Sequence, residues 1–426
     1  MRELSDRLGD FSPKYFPDGE RHHGNLRTNF KLLYDTLSGW GKRNGAGAVR
    51  QLCKALFYSV TLVVIDVLDP TNGPRIFDSL NSKQQPMSIG DLVRNDIFAR
   101  VAGKPAAERI HDEHWLPFYK GFQVADFDNL FEGYFFPFAL VSNPNVKKSQ
   151  VYPALQRQWR KVREPVKVIR SLRVYQNAYL DLVCGSNLQK LPGRVHVAFR
   201  RLQRLGCPSA VYPFLMRLSN ETRKGRIRDK DALGIVNAIE SFLVRRAICG
   251  YEPTGLHAVF KRLWLDCGRH VAAVGIVRAI RKHKTVSWPD DAEVKKAVIG
   301  RPLYGTRIVS YFLAEYDRSL GGDVPNDGFW IEHVLPESYS RAWHGSFSRT
   351  DHKVLRHLVA NLIPLSKKMN QSLSNKGYSE KRRLYLADAM FKSARQFAAQ
   401  CEDWSPDALA ARGEALARWA VRRWAP

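Results

Sequence analysis

Residues 329–338, FWIEHVLPES, set one acid and one histidine inside an apolar run that a proline then ends. Read as an extended segment, the run sends Phe329, Ile331, His333 and Leu335 to one face and Trp330, Glu332 and Val334 to the other, because side chains alternate along a strand. Pro336 brings no N–H and closes the ladder. A second apolar stretch, HLVANLIPLSKKMN, begins at His357 and carries Asn361 in its middle and Asn370 at its end. Beyond it, SLSNKGYSEKRRLYLADAMF joins turn residues to a helix with Leu384, Ala387 and Phe391 at three- and four-residue steps and Ser379 as its candidate cap. The outline is strand, loop, strand, helix. On a regular strand the neighbours Glu332 and His333 point apart, so they share one site only where the strand distorts; otherwise Glu332 is an exposed or ion-paired carboxylate.

Most of the remaining text is helical. Residues 110 to 320 carry basic helical stretches, among them RQWRKVREPVKVIRSLR, FRRLQRLG, NETRKGRIRDK and VRAIRKHK. PLYGTRIVSYFLAEYDRSLGG reads as an amphipathic helix with Tyr304, Ile308, Tyr311 and Phe312 on one side and Gly321 as its terminator. Nearer the amino terminus, a β-branched run from Val60 to Val67 ahead of a Pro/Asn/Gly turn reads as a buried strand. Ser88, with Asp91 three residues on, opens a helix whose apolar face is Ile89, Leu92, Val93, Ile97 and Val101. At the carboxyl end Ser405 caps a last helix, with Pro406 and Asp407 in its first turn and Arg422 and Arg423 at its end.

At 426 residues and 44% hydrophobic content, the chain has material for sizeable cores in two or three domains and is not a disordered polymer. Lys and Arg total 67 against 41 Asp and Glu, a formal net charge of +26. A surplus of that size meets a polyanion, with nucleic acid as the leading candidate; a solubility charge or an acidic protein partner is the plainer alternative. Several basic helices, rather than one, favour a surface that tracks a phosphate backbone. The six cysteines are scattered without a C-x-x-C pair and read as reduced thiols. No run approaches the roughly 18 apolar residues of a membrane span, and the amino terminus lacks a signal-peptide core. A soluble, cytoplasmic chain without a membrane partner is the expectation.

The ordered set I-E-H-V-L-P, A-N-L-I-P-L, K-M-N and Y-S-E-K is similar to the HNH nuclease domain of GmrSD-type restriction enzymes. These are bacterial Type IV, modification-dependent endonucleases that join an HNH-like carboxyl half to a ParB-like NTPase amino half. The resemblance implies a mainly α, α+β protein with a small ββα-metal element. It also implies His333 as general base, Asn361 as a structural asparagine, Glu332 and Asn370 as ligands of Mg²⁺ or another divalent metal ion, and Lys381 near the scissile phosphate. The chemistry suits these residue types: an imidazole neutral near pH 7 can take a proton from water, and a hard cation prefers oxygen donors. By contrast, a metal cluster of His344, His352 and His357 is conceivable, but they match no common zinc spacing and read as surface or DNA-facing histidines.

Phe77, Leu80, Asn81 and Ser82, then Met87, Ser88, Asp91 and Leu92, resemble the F-x-x-[LI]-N-[ST] turn and L-[ST]-x-x-D-L helix of the same enzymes. Their D-G-Q-Q-R motif, linked to NTP hydrolysis, has only a poor substitute in FPDGERHHGN, so NTP hydrolysis is not expected. The organisation that follows is a shortened remnant of a ParB-like NTPase domain at 1–105, a basic helical domain at 106–315, and an HNH-like nuclease domain with carboxy-terminal helices at 316–426. The expected function is a metal-dependent DNA endonuclease in bacterial defence against foreign or modified DNA. The alternative is a noncatalytic DNA-binding or regulatory protein that keeps the HNH scaffold, and a homo-oligomer or a partner NTPase remains open.

Overall fold

Apolar residues three and four positions apart fold nearly every described segment into helix, leaving only two short strands among the described residues. The computed structural model describes residues 24–61, 87–101, 106–125, 129–268, 271–283, 286–325 and 328–426. The β-branched run beyond Thr61 and the Phe77–Ser82 turn lie outside them. The chain divides into two units, residues 1–68 and 69–426. In the first, the helix Gly24–Tyr58 kinks at Gly45, whose φ of 78° only glycine adopts without strain.

In the second unit, the helix Ile89–Ala99 starts where the capping signal puts it: Ser88 Oγ accepts from Asp91 N at 3.1 Å. Val93 and Ile97 on its inner face are fully buried. The basic helices follow the same logic. Pro165–Arg173 buries Val168, Ile169 and Leu172 and turns Lys167, Arg170 and Arg173 outward. Among the described residues no helix is long and apolar enough to cross a membrane. All six cysteines are free thiols.

A buried ionic cluster fastens the last helix, Pro406–Arg423, onto the helical body. The carboxylate of Glu240, in the helix Asp229–Cys249, accepts from Arg423 Nη2 (2.7 Å), Trp424 Nε1 (3.1 Å), Tyr311 OH (3.0 Å) and Arg201 Nε (2.7 Å). Arg423 also reaches Glu315 at 2.8 Å. Each buried carboxylate therefore meets guanidinium partners, the condition under which burying charge is tolerable. This docking aims Arg412 at the sheet: its Nη2 donates to Leu362 O at 3.0 Å, its Nη1 donates to Ala360 O, and its guanidinium lies 4.8 Å over the Phe397 ring.

The sheet has two antiparallel strands, β1 (Trp330–His333) and β2 (Leu362–Leu365), with Glu332 opposite Ile363 and His333 opposite Leu362. Two strands alone are marginal in water, and β2 is covered on both faces. Ile363 and Leu365 join a core with Leu335, Tyr385, Phe397 and Trp404, whereas Leu362 joins Val359 and Leu416.

Local structure departs from the sequence reading at three points. A helix unforeseen in the sequence, Lys367–Leu373, follows β2 directly and is capped by Ser366, whose Oγ accepts from Met369 N at 3.3 Å. The next helix, Tyr378–Asp388, is entered at Gly377, so Ser379 lies inside its first turn. It also stops before Phe391, which instead opens the helix Lys392–Gln400. Finally, Tyr304 is not on the amphipathic helix. That helix spans Arg307–Ser319, and Gly305, at φ 77°, turns the chain so that Tyr304 leaves toward the site described next.

Candidate active site

The alternation of β1 separates its two functional-looking neighbours. Directly opposite residues of an antiparallel pair share a face, so Glu332 goes with Ile363 into the core and His333 goes with Leu362 to the other side. No bulge interrupts the register between them.

Glu332 is the centre of a buried polar group. Its Oε1 accepts from Lys381 Nζ at 2.6 Å and from Tyr385 OH at 3.0 Å, and its Oε2 accepts from Asn370 Nδ2 at 3.0 Å. Lys381, wholly buried, also donates to His333 O at 2.9 Å, and Asn370 to Ile331 O at 3.2 Å. Burial raises the Glu332 pKa and lowers that of Lys381; their mutual contact opposes both shifts. Burial likewise raises the Tyr385 hydroxyl, which keeps its proton and donates it. The group clamps the backbone of β1 at Ile331 and His333.

Asn361 is fully buried and uses all of its hydrogen-bonding capacity. Its Oδ1 accepts from Leu335 N at 2.7 Å and Trp404 Nε1 at 3.2 Å; its Nδ2 donates to Leu335 O and Arg356 O, both at 2.8 Å. Its own carbonyl accepts from Val334 N at 2.9 Å. The backbone immediately after His333 is thus fixed by one residue, through its carbonyl at Val334 and its side chain at Leu335.

His333 lies in a cluster of aromatic and cationic side chains. Its Nε2 is 3.2 Å from His357 Nδ1, Tyr304 approaches edge-on at 4.2 Å between centroids, and the same tyrosine stacks on His357 at 5.2 Å and 6°. Leu303 N and Tyr304 N both donate to His357 O, at 3.1 and 3.3 Å, which ties the two segments together. Arg356 Nε donates to His357 Nε2 at 3.0 Å. That assigns the His357 proton to Nδ1, where it points at His333 Nε2 and leaves that nitrogen as an acceptor. Burial, first, and then the charges of His357, Lys381, Arg356 and His352 hold the His333 pKa down at about 3. Burial and Arg356 lower that of His357 as well, with Glu337 acting in the opposite sense. Ligand atoms of His333, His357 and exposed Glu337 all lie within 4.8 Å of one another.

The structure therefore brings Glu332, Asn370 and Lys381 together on one face of β1, puts His333 on the other, and sets Asn361 between strand and loop. As arranged, Glu332 and Asn370 do not fit a metal ion. Both carboxylate oxygens are engaged, and a buried ammonium already stands where a cation would sit. For the same reason Lys381 has no free path to a phosphate. Of the loop histidines, His352 is buried with Nε2 2.8 Å from Pro336 O, His344 packs against Tyr339, and His357 meets His333. Sequence reasoning named His357 among the loop histidines but not its partner His333, and it missed Glu337, whose only hint was its place just after Pro336.

Residues 288–419 match the family model described as GmrSD restriction endonucleases, C-terminal domain. The match covers less than half of the chain, and this part is similar to a GmrSD-type carboxyl-terminal domain. No curated protein matches the chain. The matched residues include both strands, the loop that delivers His357, the clamp around Glu332 and all but the end of the last helix.

Proposed function

We propose that the chain is a metal-dependent DNA endonuclease acting against foreign or modified DNA, with His333 as its general base. What carries this reading is the state of His333: an imidazole neutral at physiological pH, its Nε2 an acceptor, on a strand held rigid from below by Lys381 and from behind by Asn361. A water that takes the place of the His357 Nδ1–H at Nε2 gives its proton to the ring as it attacks phosphorus. A ring with so low a proton affinity is a weak base in the free protein; a bound phosphate, an anion beside it, raises that affinity toward the useful range. Arg356 and Lys381 make the surroundings electropositive, which favours the pentacovalent phosphorus and its charge.

Glu332, Asn370 and Lys381 act in this reading as a clamp, Asn361 as a brace. Glu337, exposed on the His333 side, is the carboxylate that together with phosphate oxygens of the substrate suits Mg²⁺, an ion that keeps few protein ligands in such sites. When bound, the ion neutralises charge on the scissile phosphate. The family match supports the nuclease class. The outward Arg and Lys of the basic helices support a backbone-tracking DNA surface. The test is plasmid relaxation by the purified chain in Mg²⁺ or Mn²⁺ with and without EDTA. Nicking that EDTA abolishes supports the reading; binding without cutting in every metal supports a noncatalytic DNA-binding protein instead.

A further inference from the structure

We propose that His333, His357 and Glu337 form a binding site for a borderline divalent cation such as Zn²⁺, and that its occupancy silences the nuclease by taking the lone pair of the base.

The donor set is two imidazoles and one carboxylate, with room for a fourth ligand from solvent. Zinc takes such sets, whereas Mg²⁺ prefers oxygen alone. The spacing agrees. Two nitrogens each about 2.0–2.1 Å from a tetrahedral zinc ion stand about 3.3 Å apart, and His333 Nε2 and His357 Nδ1 are 3.2 Å apart. Both rings are held: His333 by β1, His357 by the Leu303 and Tyr304 amides on its carbonyl and by the stacked Tyr304 ring. Glu337 is exposed and His357 only half-buried, so an ion has a way in.

Two rearrangements are required: the nitrogens now face each other across a hydrogen bond, so the rings must turn until both lone pairs converge on a point beside the line between them. A neutral His357 that ligates through Nδ1 must carry its proton on Nε2, where Arg356 now donates. The proton moves from Nδ1 to Nε2 of the same ring, with none gained or lost, and Arg356 swings off. Arg356 thus guards the site: it holds His357 in the tautomer that cannot bind metal. The inhibitory consequence rests on the nuclease reading, because one lone pair on Nε2 cannot hold zinc and take a proton from water. Zinc binding itself does not depend on that reading.

The test is isothermal titration of the purified chain with zinc alone, alongside Glu337→Gln, His357→Ala and Arg356→Gln, each checked for an unchanged thermal transition. Glu337, being exposed, can be replaced without disturbing the core, so it remains informative if the histidine variant fails to fold. We expect a site whose affinity falls at least tenfold in Glu337→Gln and His357→Ala and rises in Arg356→Gln. Zinc should also halt Mg²⁺-supported plasmid nicking by the wild type. A wild type without measurable zinc affinity, or variants that bind as it does, overturns the site. Binding in the expected pattern by a chain that never cuts DNA leaves the site standing and removes the nuclease reading.

Discussion

His333 Nε2 and His357 Nδ1 lie 3.2 Å apart although 24 residues separate them in the chain. The contact exists because β2 brings Asn361 beneath the end of β1, and Asn361 Nδ2 holds Arg356 O, the carbonyl just before His357. One imidazole polarises the other, with Arg356 at the far end.

Asn361→Ala removes four hydrogen bonds at once and leaves Leu335, Trp404 and Arg356 groups without partners in a dry interior. The expected loss is at least about 2 kcal/mol of unfolding free energy, measured by denaturant titration. A change within a few tenths of a kcal/mol would mean that the loop is positioned by other contacts.

Lys381→Met strands the Glu332 carboxylate in the core with only Tyr385 and Asn370 as donors. Breaking one side of a buried pair costs about 3–5 kcal/mol. The double variant Glu332→Gln/Lys381→Met should recover much of that loss, since no uncompensated charge remains. Equal loss in the single and double variants would contradict the clamp.

Because the folded pKa of His333 is depressed to about 3, the folded state resists protonation of a ring that the unfolded chain protonates near 6.5. The unfolded chain binds the extra proton between these values, so the His333 contribution is fully present above about pH 6.5. It is then lost as pH falls, at up to about 1.4 kcal/mol per pH unit. Chemical denaturation from pH 7 to pH 4.5 should show this decline in the wild type and a shallower one in His333→Gln. Parallel slopes would place the acid sensitivity elsewhere.

How much of this was legible in the sequence divides along a physical line. Local periodicity and capping marked the helix after Ser88, the last helix after Ser405 and both strands, because those signals lie within a few residues. The family resemblance singled out Glu332, Asn370 and Lys381, but as metal ligands and a phosphate lysine; that they bind one another in the core was not readable. That depended on an unbulged strand, which keeps Glu332 and His333 apart. The pairing of His357 with His333 was not readable, because it arises from a long loop closing through Asn361. Tyr304 was misplaced because Gly305 turns the chain before the helix begins, and periodicity alone cannot see a turn. Ser366 and Gly377 show the same limit: several residues there can cap, and packing selects among them.

The exposed cluster Arg160, Lys161 and Arg163 has no acidic partner among the described residues. Replacing all three with Ala should weaken DNA binding uniformly across sequences and flatten its dependence on salt, each phosphate contact contributing about 0.9 to the slope of log K against log salt. Fluorescence anisotropy at several salt concentrations measures both. An unchanged slope would place the DNA track on other helices.

The most direct test of the account is cleavage and binding by His333→Ala compared with wild type on the same plasmid, in Mg²⁺ and Mn²⁺. The account predicts a loss of nicking of about 100- to 10,000-fold, with DNA affinity within a factor of about two, since phosphate contacts come from other helices. Nicking by His333→Ala at the wild-type rate, with EDTA still abolishing it, would contradict His333 as the base.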